Sequence, residues 1–177
     1  YGDQNAKLLM VGLAPAAHGG NRTGRVFTGD RSADFLFSCL YKTGFASQPD
    51  SVNRNDGLKL YNMYLTTALK CVPPEDKPTS KELKTCFNFF NQEINHLKKI
   101  TTIVALGKIG HDACVNYYKQ HYEIKNKDFI FSHGSTNILP DKKILIGSYH
   151  PSPRNVNTGR IDQNKMVKLL NKIKKIL

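Results

Sequence analysis

Four short apolar runs alternate with longer segments of helical spacing, and this alternation constrains the fold more than any other feature of the chain. The runs lie at residues 8–11, 64–69, 100–106 and 144–146. Segments with apolar residues every three or four positions follow them, at 32–43, 80–97, 109–118 and 164–177. Strands that alternate with helices pair in parallel, with helices on both faces of the sheet. The sequence therefore predicts one three-layer α/β/α domain over residues 1–177 with a central, mostly parallel sheet. The weaker pattern of residues 121–140 is compatible with a hairpin.

Three unusual loops follow strand-like runs. They read GLAPAAHGGNRTGRVFTGD at 12–30, VPPEDKPT at 72–79 and GSYHPSPRNVNTGR at 147–160. The first carries five of the 13 glycines and no periodic apolar pattern, so we interpret it as a loop without helix or strand that brings backbone close to a ligand. A long surface loop without a ligand is the alternative. Because parallel strands end at the same edge of a sheet, the three loops are expected to line a single crevice.

The familiar phosphate-binding motifs are absent from the sequence. Residues 24–32 read GRVFTGDRS, with two glycines and a final serine as in a P-loop, but Asp30 occupies the position of the phosphate-binding lysine. No G-x-G-x-x-G follows a strand-like run either. An enzyme that binds free nucleotides through this loop is therefore disfavoured.

The charge balance predicts a polyanionic partner. The chain has 26 Lys and Arg against 14 Asp and Glu, a formal net charge of +12. Nucleic acid is the first candidate and an anionic membrane surface the second, although the lysines of 165–175 can simply lie on the solvated face of a helix. The sequence has no bilayer-length apolar run and no signal peptide, so we expect a cytoplasmic protein. Four cysteines without a C-x-x-C pair disfavour a disulfide scaffold.

With these loops, the sequence resembles the uracil-DNA glycosylase superfamily, and most closely its family 5, the broad-specificity type B branch. The matching words are GLAPAAHGGNRTGR and FTGD in the first loop, LKCVPPEDKPT with Cys86 after it, and YHPSPRN followed by TGR. The resemblance implies a uracil-DNA glycosylase-like fold and a monofunctional DNA repair enzyme of base excision repair. Such an enzyme flips uracil, or other deaminated bases such as hypoxanthine, out of damaged DNA and hydrolyses the N-glycosidic bond. We expect the protein to be a monomer and of the prokaryotic type.

The resemblance also assigns roles within the site. Asp30 is expected to stabilise the oxocarbenium-like sugar or orient the attacking water, and His150 to donate a hydrogen bond to the carbonyl of the departing uracil. Leu13 stands where the related family 4 has an acidic residue. Asp76 stands where the family commonly has asparagine, which weakens the usual uracil recognition. The residues expected to contact the base are Gly12, Leu13, Ala14, Phe27 and Asp76.

The same residues have simpler interpretations. Asp30 can cap the helix that begins near Ser32, Phe27 can belong to the core, and His150 can be a surface loop residue. His18 is expected only as a neighbour of the site. For DNA, the resemblance points to Arg154, Asn155 and Arg160; the first two are interpreted as part of a minor-groove wedge, with a phosphate contact as the alternative.

Two cysteines match ligands of a [4Fe–4S] cluster in families 4 and 5. Cys71 and Cys86 have the spacing of two of the four ligands, and the other two are expected from a C-x-x-C in an N-terminal segment upstream of this sequence. The alternative is a branch without the cluster. Cys39 and Cys114 lie on apolar helix faces in the predicted fold and are poor substitutes.

A second class of function stays open. Leu13 and Asp76 are also compatible with a catalytically weak DNA-binding or damage-sensing module on the same fold.

Overall fold

The computed structural model describes residues 1–75 and 77–177 and has a five-stranded sheet at its centre. The strand order is β2-β1-β3-β5-β4. The strands are β1 (Leu8–Gly12), β2 (Met63–Thr67), β3 (Thr102–Leu106), β4 (Thr136–Ile138) and β5 (Ile144–Ser148). β1 pairs in parallel with β2 and β3, and β3 pairs in parallel with β5. β4 is antiparallel to β5, so the predicted mostly parallel sheet is confirmed.

Helices cover both faces of the sheet. They are α1 (Arg31–Lys42), α2 (Ser80–His96), α3 (Lys108–Lys119), α4 (Pro153–Asn157) and α5 (Gln163–Lys174). α1 and α5 pack on one face, where Leu36 and Leu170 join Met10 in a buried cluster. α2 and α3 pack on the other, where Phe90 and Val115 join the second cluster. Burying each such side chain contributes roughly 1.5–3 kcal/mol, so both layers hold the sheet rigidly beneath the loops at its edge.

Two sequence interpretations need correction. Residues 121–140 do not form a hairpin of their own: they contribute the short strand β4, which pairs with β5. The first loop is not free of helix, because residues 17–21 form one wide helical turn in which the Asn21 N–H donates to the Ala16 carbonyl at 3.0 Å. β4 depends on its pairing with β5, and the helical turn depends on backbone hydrogen bonds within the loop. Neither leaves a periodic apolar pattern in the sequence.

α2 begins where its capping residues predict. The Thr79 hydroxyl accepts from the Glu82 N–H, and the Glu82 carboxylate accepts from the Thr79 N–H, which is a complete capping box. Its apolar stripe is less deeply packed than expected, since Phe90 is fully buried while Phe87 and Ile94 are half-buried. In the described part of the chain, no helix has the length and apolar character needed to cross a membrane.

Candidate active site

A cavity of about 500 Å³ opens at the carboxyl edge of the sheet. Residues from all three unusual loops line it: Leu13 to Ala16 after β1, Pro73 after β2, and His150, Ser152 and Pro153 after β5. Ligands of open α/β sheets bind in crevices at this edge. Loops far apart in the sequence therefore meet in one site.

The cavity has a fourth wall that the sequence interpretation missed. Gly107, Lys108 and Ile109, at the start of α3, line it directly after β3. Gly107 has φ of +95°, which favours glycine, and a Cβ there would lie 3.5 Å from the Cβ of His150. The signal was available, because β3 lies between β1 and β5 and its end must open into the same crevice.

Gly12, Phe27 and His150 lie together, and of the three only His150 lines the cavity itself. A Cβ on Gly12 would lie 2.6 Å from Cζ of Phe27, so only glycine lets the ring approach the end of β1 this closely. The Phe27 ring lies against the His150 ring, with centroids 6.1 Å apart and planes 29° apart. Phe27 is only 8% exposed, so the ring packs into the core and also contacts the predicted catalytic histidine.

Asp30 caps α1 with one carboxylate oxygen. Its Oδ1 accepts from the N–H groups of Ser32 and Ala33 at 2.9 and 3.0 Å. Its Oδ2 faces Gly19, where a Cβ would lie only 2.1 Å away. The capping interpretation is therefore confirmed for one oxygen, while the second oxygen makes no hydrogen bond to the cap and lies against Gly19.

His150 and Asp30 are electrostatically coupled. Burial lowers the pKa of His150 below its ordinary value, and the Asp30 carboxylate opposes this by raising it. The loop is also fixed from behind, since Asn155 Nδ2 donates to the His150 carbonyl at 2.9 Å. A neutral imidazole held in this way can donate one N–H to a ligand at neutral pH.

The coupling predicts the direction of the His150 pKa in the native protein and in one variant. In the native protein, His150 should titrate below its ordinary pKa, and Asp30→Asn should lower its pKa further because the opposing carboxylate is lost. The pKa of His150 is higher in the unfolded chain than in the native protein, so the unfolded chain binds the proton first. The contribution of this histidine to the free energy of unfolding therefore falls as the pH drops below about 6.5. NMR titration of the imidazole signals measures both effects. An unchanged His150 midpoint in Asp30→Asn would contradict the coupling.

The backbone of the first loop is partly engaged. The carbonyls of Gly12 and Leu13 accept hydrogen bonds from the N–H groups of Ala68 and Leu69, each at 2.9 Å. Leu13 and Ala14 both line the cavity, so a ligand can meet their backbone there. Asp76, the fifth residue predicted to contact the base, lies outside the described residues.

The residues predicted to contact DNA follow His150 in the third loop and differ in exposure. Arg154 and Arg160 are exposed, and the Arg160 guanidinium lies 4.4 Å from the ring centre of Tyr149, the neighbour of His150. Asn155 is half-buried and uses its amide to hold the His150 loop. His18 is exposed on the helical turn of the first loop.

Cys71 and Cys86, the two predicted cluster ligands, line the same small cavity. This cavity of about 210 Å³ lies between the loop after β2 and the first turns of α2. Among the residues that the structure describes, no three His, Cys, Asp or Glu side chains are grouped so that they could hold a metal ion. Cys39 and Cys114 are fully buried, and burial raises the pKa of Cys39 to about 11. These two thiols are therefore unsuited to binding a metal.

A larger cavity, of about 730 Å³, lies beside α5 and contains none of the predicted site residues. His133 and Gly134 form one side, and the lysines of α5 and its end form the other, at positions 165, 168, 172 and 175. The helix begins near the candidate site and runs away from it, since Lys7 at the opposite edge of the sheet donates to the Leu177 carbonyl. Size alone therefore does not identify the site.

Comparison with known proteins identifies the family. The sequence profile described as "Uracil DNA glycosylase superfamily" matches residues 1–174. The chain belongs to the uracil-DNA glycosylase superfamily. Within it, the similar proteins are of type 5, as the words of the three loops predict.

Three relatives illustrate the similarity. A type-5 uracil-DNA glycosylase of Thermus thermophilus is 40% identical over 176 residues, which cover 99% of this chain and 78% of the relative. One of Pyrobaculum aerophilum is 40% identical over 170 residues, covering 96% of this chain and 72% of the relative. One of Mycobacterium tuberculosis is 37% identical over 177 residues, covering 99% of this chain and 65% of the relative.

Proposed function

We propose that this protein is a monofunctional uracil-DNA glycosylase that flips a deaminated base out of DNA and hydrolyses its N-glycosidic bond. One observation carries the proposal: the three loops that match this superfamily line a single cavity, with His150 in its wall and Asp30 coupled to it. The net charge of +12 suits a DNA substrate. Extruding the base is needed because the bond cannot be reached within a stacked duplex.

The residues divide the chemical work between sugar and base. Cleavage builds positive charge on the sugar and negative charge on the leaving base. Asp30 stabilises the positive sugar or orients the attacking water. His150, neutral because burial lowers its pKa, donates an N–H to the base carbonyl as negative charge develops there. Phe27, in contact with the His150 ring, provides an aromatic surface for the base.

The proposal includes a broad preference among deaminated bases. Uracil and hypoxanthine each present a ring N–H beside a carbonyl oxygen, so a carboxylate at Asp76 can accept from either base. An asparagine would in addition donate to the neighbouring carbonyl, which both bases also carry, so neither side chain separates uracil from hypoxanthine. This chemistry favours activity on hypoxanthine as well as on uracil.

Release of free base from defined duplexes tests the function. Duplexes that contain one uracil or one hypoxanthine are incubated with the purified protein, and the abasic product and the free base are both measured. We expect release from both, and none from an undamaged duplex. Tight DNA binding without base release would favour the damage-sensing module instead.

We further infer that Cys71 and Cys86 supply two thiolates to a [4Fe–4S] cluster. Both cysteines line one small cavity, which supports half of a four-cysteine ligand set. A cluster there would cross-link the loop after β2 to α2 and hold the crevice wall at Pro73.

The cluster proposal predicts an iron-containing, coloured protein. In protein purified from its complete gene, Cys86→Ser should lower the iron content and the visible absorbance and should reduce the thermal midpoint. Cys114→Ala, at a buried thiol on α3, is the matched control and should retain the iron. An active, colourless and iron-free native protein would refute the inference.

A further inference from the structure

A buried cluster of polar side chains lies beneath the first loop. Arg25 is 4% exposed, and its guanidinium donates to Asp56 through two bonds, at 2.9 Å to Oδ1 and 2.6 Å to Oδ2. It also donates to the hydroxyls of Thr28 and Ser51, at 2.9 and 2.7 Å. The Thr28 and Ser51 hydroxyls hydrogen-bond to each other at 2.7 Å. Nothing in the sequence analysis pointed to these four residues as a unit.

The cluster ties the first loop to residues 51–58. Asp56 accepts from the N–H groups of Val52 and Leu58, which fixes its own segment. The Gly29 N–H donates to the Ser51 carbonyl at 2.7 Å, next to Asp30. The guanidinium of Arg25 also lies 4.8 Å from the ring centre of Tyr1. Arg25 and its partners thus hold both ends of the turn 25–29.

This turn contains a strained aromatic residue. Phe27 has φ of +50°, a left-handed conformation that a bulky residue rarely adopts. Such a conformation persists only where the surroundings fix it firmly, and residues that adopt it cluster at functional sites. Arg25 precedes Phe27 by two residues and Thr28 follows it directly. The Arg25 Nε–H donates a hydrogen bond to the Thr28 hydroxyl. The cluster therefore supplies the constraint that the strained residue needs.

We propose that Arg25, with Asp56, Ser51 and Thr28, is a positioning group that holds Phe27 and Asp30 in the geometry required for base excision. The inference rests on the proposed function. The Arg25 side chain lies beneath the turn and acts through Phe27 and Asp30.

The chemistry of the pair favours positioning over simple stabilisation. A buried ion pair loses so much hydration that its net contribution to stability is small, whereas its geometry is specific. Arginine presents a planar fork that bridges Asp56, Ser51 and Thr28 at once, and a lysine ammonium cannot reproduce that fork. Hydrogen bonding from Arg25 holds the pKa of Asp56 well below its usual range, so the pair stays charged at every working pH.

Two mild variants test the proposal. Arg25→Lys keeps the charge and loses the fork, and Thr28→Val keeps the volume and loses the hydroxyl. With protein in excess over uracil-containing duplex, we expect the single-turnover rate of folded protein to fall about tenfold or more, since small misplacements are costly in catalysis. The DNA dissociation constant should change by less than about twofold, because no group that contacts DNA is altered.

A matched control and a second readout distinguish positioning from general destabilisation. Asp141→Asn removes the carboxylate charge that pairs with Lys143 and accepts from the Tyr118 hydroxyl, at the opposite edge of the sheet, and should leave the rate unchanged. Hydrogen exchange of the Gly29 amide should accelerate in Arg25→Lys and Thr28→Val and stay slow in Asp141→Asn.

The outcomes separate this inference from the proposed function. Wild-type turnover in both variants, with a slowly exchanging Gly29 amide, would overturn the positioning role. If the native protein releases no base, the proposed function fails, and unchanged Gly29 exchange in the variants would independently refute the constraint on the turn.

Discussion

Replacing Asp30 by asparagine should slow uracil release by about 100-fold or more while leaving the fold intact. The carboxylate has two separable tasks: Oδ1 caps α1 through Ser32 and Ala33, and the charge is proposed to stabilise the positive sugar or to orient the attacking water. Asparagine caps a helix about as well as aspartate does, so only the charge is lost. A 100-fold loss corresponds to about 2.7 kcal/mol of transition-state stabilisation. Single-turnover kinetics and thermal unfolding measure the two tasks separately.

The control for Asp30→Asn is the same change at another helix cap. Asp162 caps α5 by accepting from the Lys165 N–H at 2.8 Å, and the carboxylate that acts on the pKa of His150 is Asp30 and not Asp162. Asp162→Asn should retain the full rate, and both variants should unfold at nearly the native temperature. A native rate in Asp30→Asn would leave the residue with its capping role alone.

Replacing His150 by leucine should slow base release by roughly 100- to 1,000-fold, the loss typical of removing one donor from a developing negative charge. Leucine fills much of the space beside Phe27, so the core contact is largely kept and the N–H is lost. His150→Gln, which retains a donor, should recover part of the rate. The measurement is the single-turnover rate with saturating protein.

A surface histidine supplies the control for His150. His96 lies exposed at the end of α2, where its Nδ1 is paired with the Gln92 carbonyl oxygen. His96→Gln should retain the native rate. Equal rates for His150→Leu and the native protein would remove histidine from the chemistry and move the leaving-group role to the backbone of the cavity.

Much of the architecture could be predicted because it follows from local patterns. The apolar runs and helical stripes placed four of the five strands in the sheet and all of the longer helices, and parallel pairing brought the loop residues Leu13 and His150 to one edge. The helix cap at Asp30 could also be predicted, because an aspartate directly before a helix is a strong signal of the helix N-terminus. These features each depend on neighbouring residues or on one general rule of topology.

Other features depended on contacts between distant residues. Arg25 and Asp56 pair although they are 31 positions apart in the sequence, and no periodic pattern predicts that contact. Asn155, predicted to reach DNA, also holds the His150 loop with its amide, a role visible only once the loop is folded. β4 was missed because its three residues pair with β5 and carry no alternating pattern of their own.

The central claim is that the cavity at the carboxyl edge of the sheet receives an extruded base. The most direct test is the structure of Asp30→Asn bound to a duplex that contains a single uracil. We predict that the uracil lies outside the helical stack, against Phe27 and beside Leu13, with a carbonyl oxygen within hydrogen-bonding distance of His150. A uracil still stacked in the duplex, or one bound in the groove beside α5, would contradict the account.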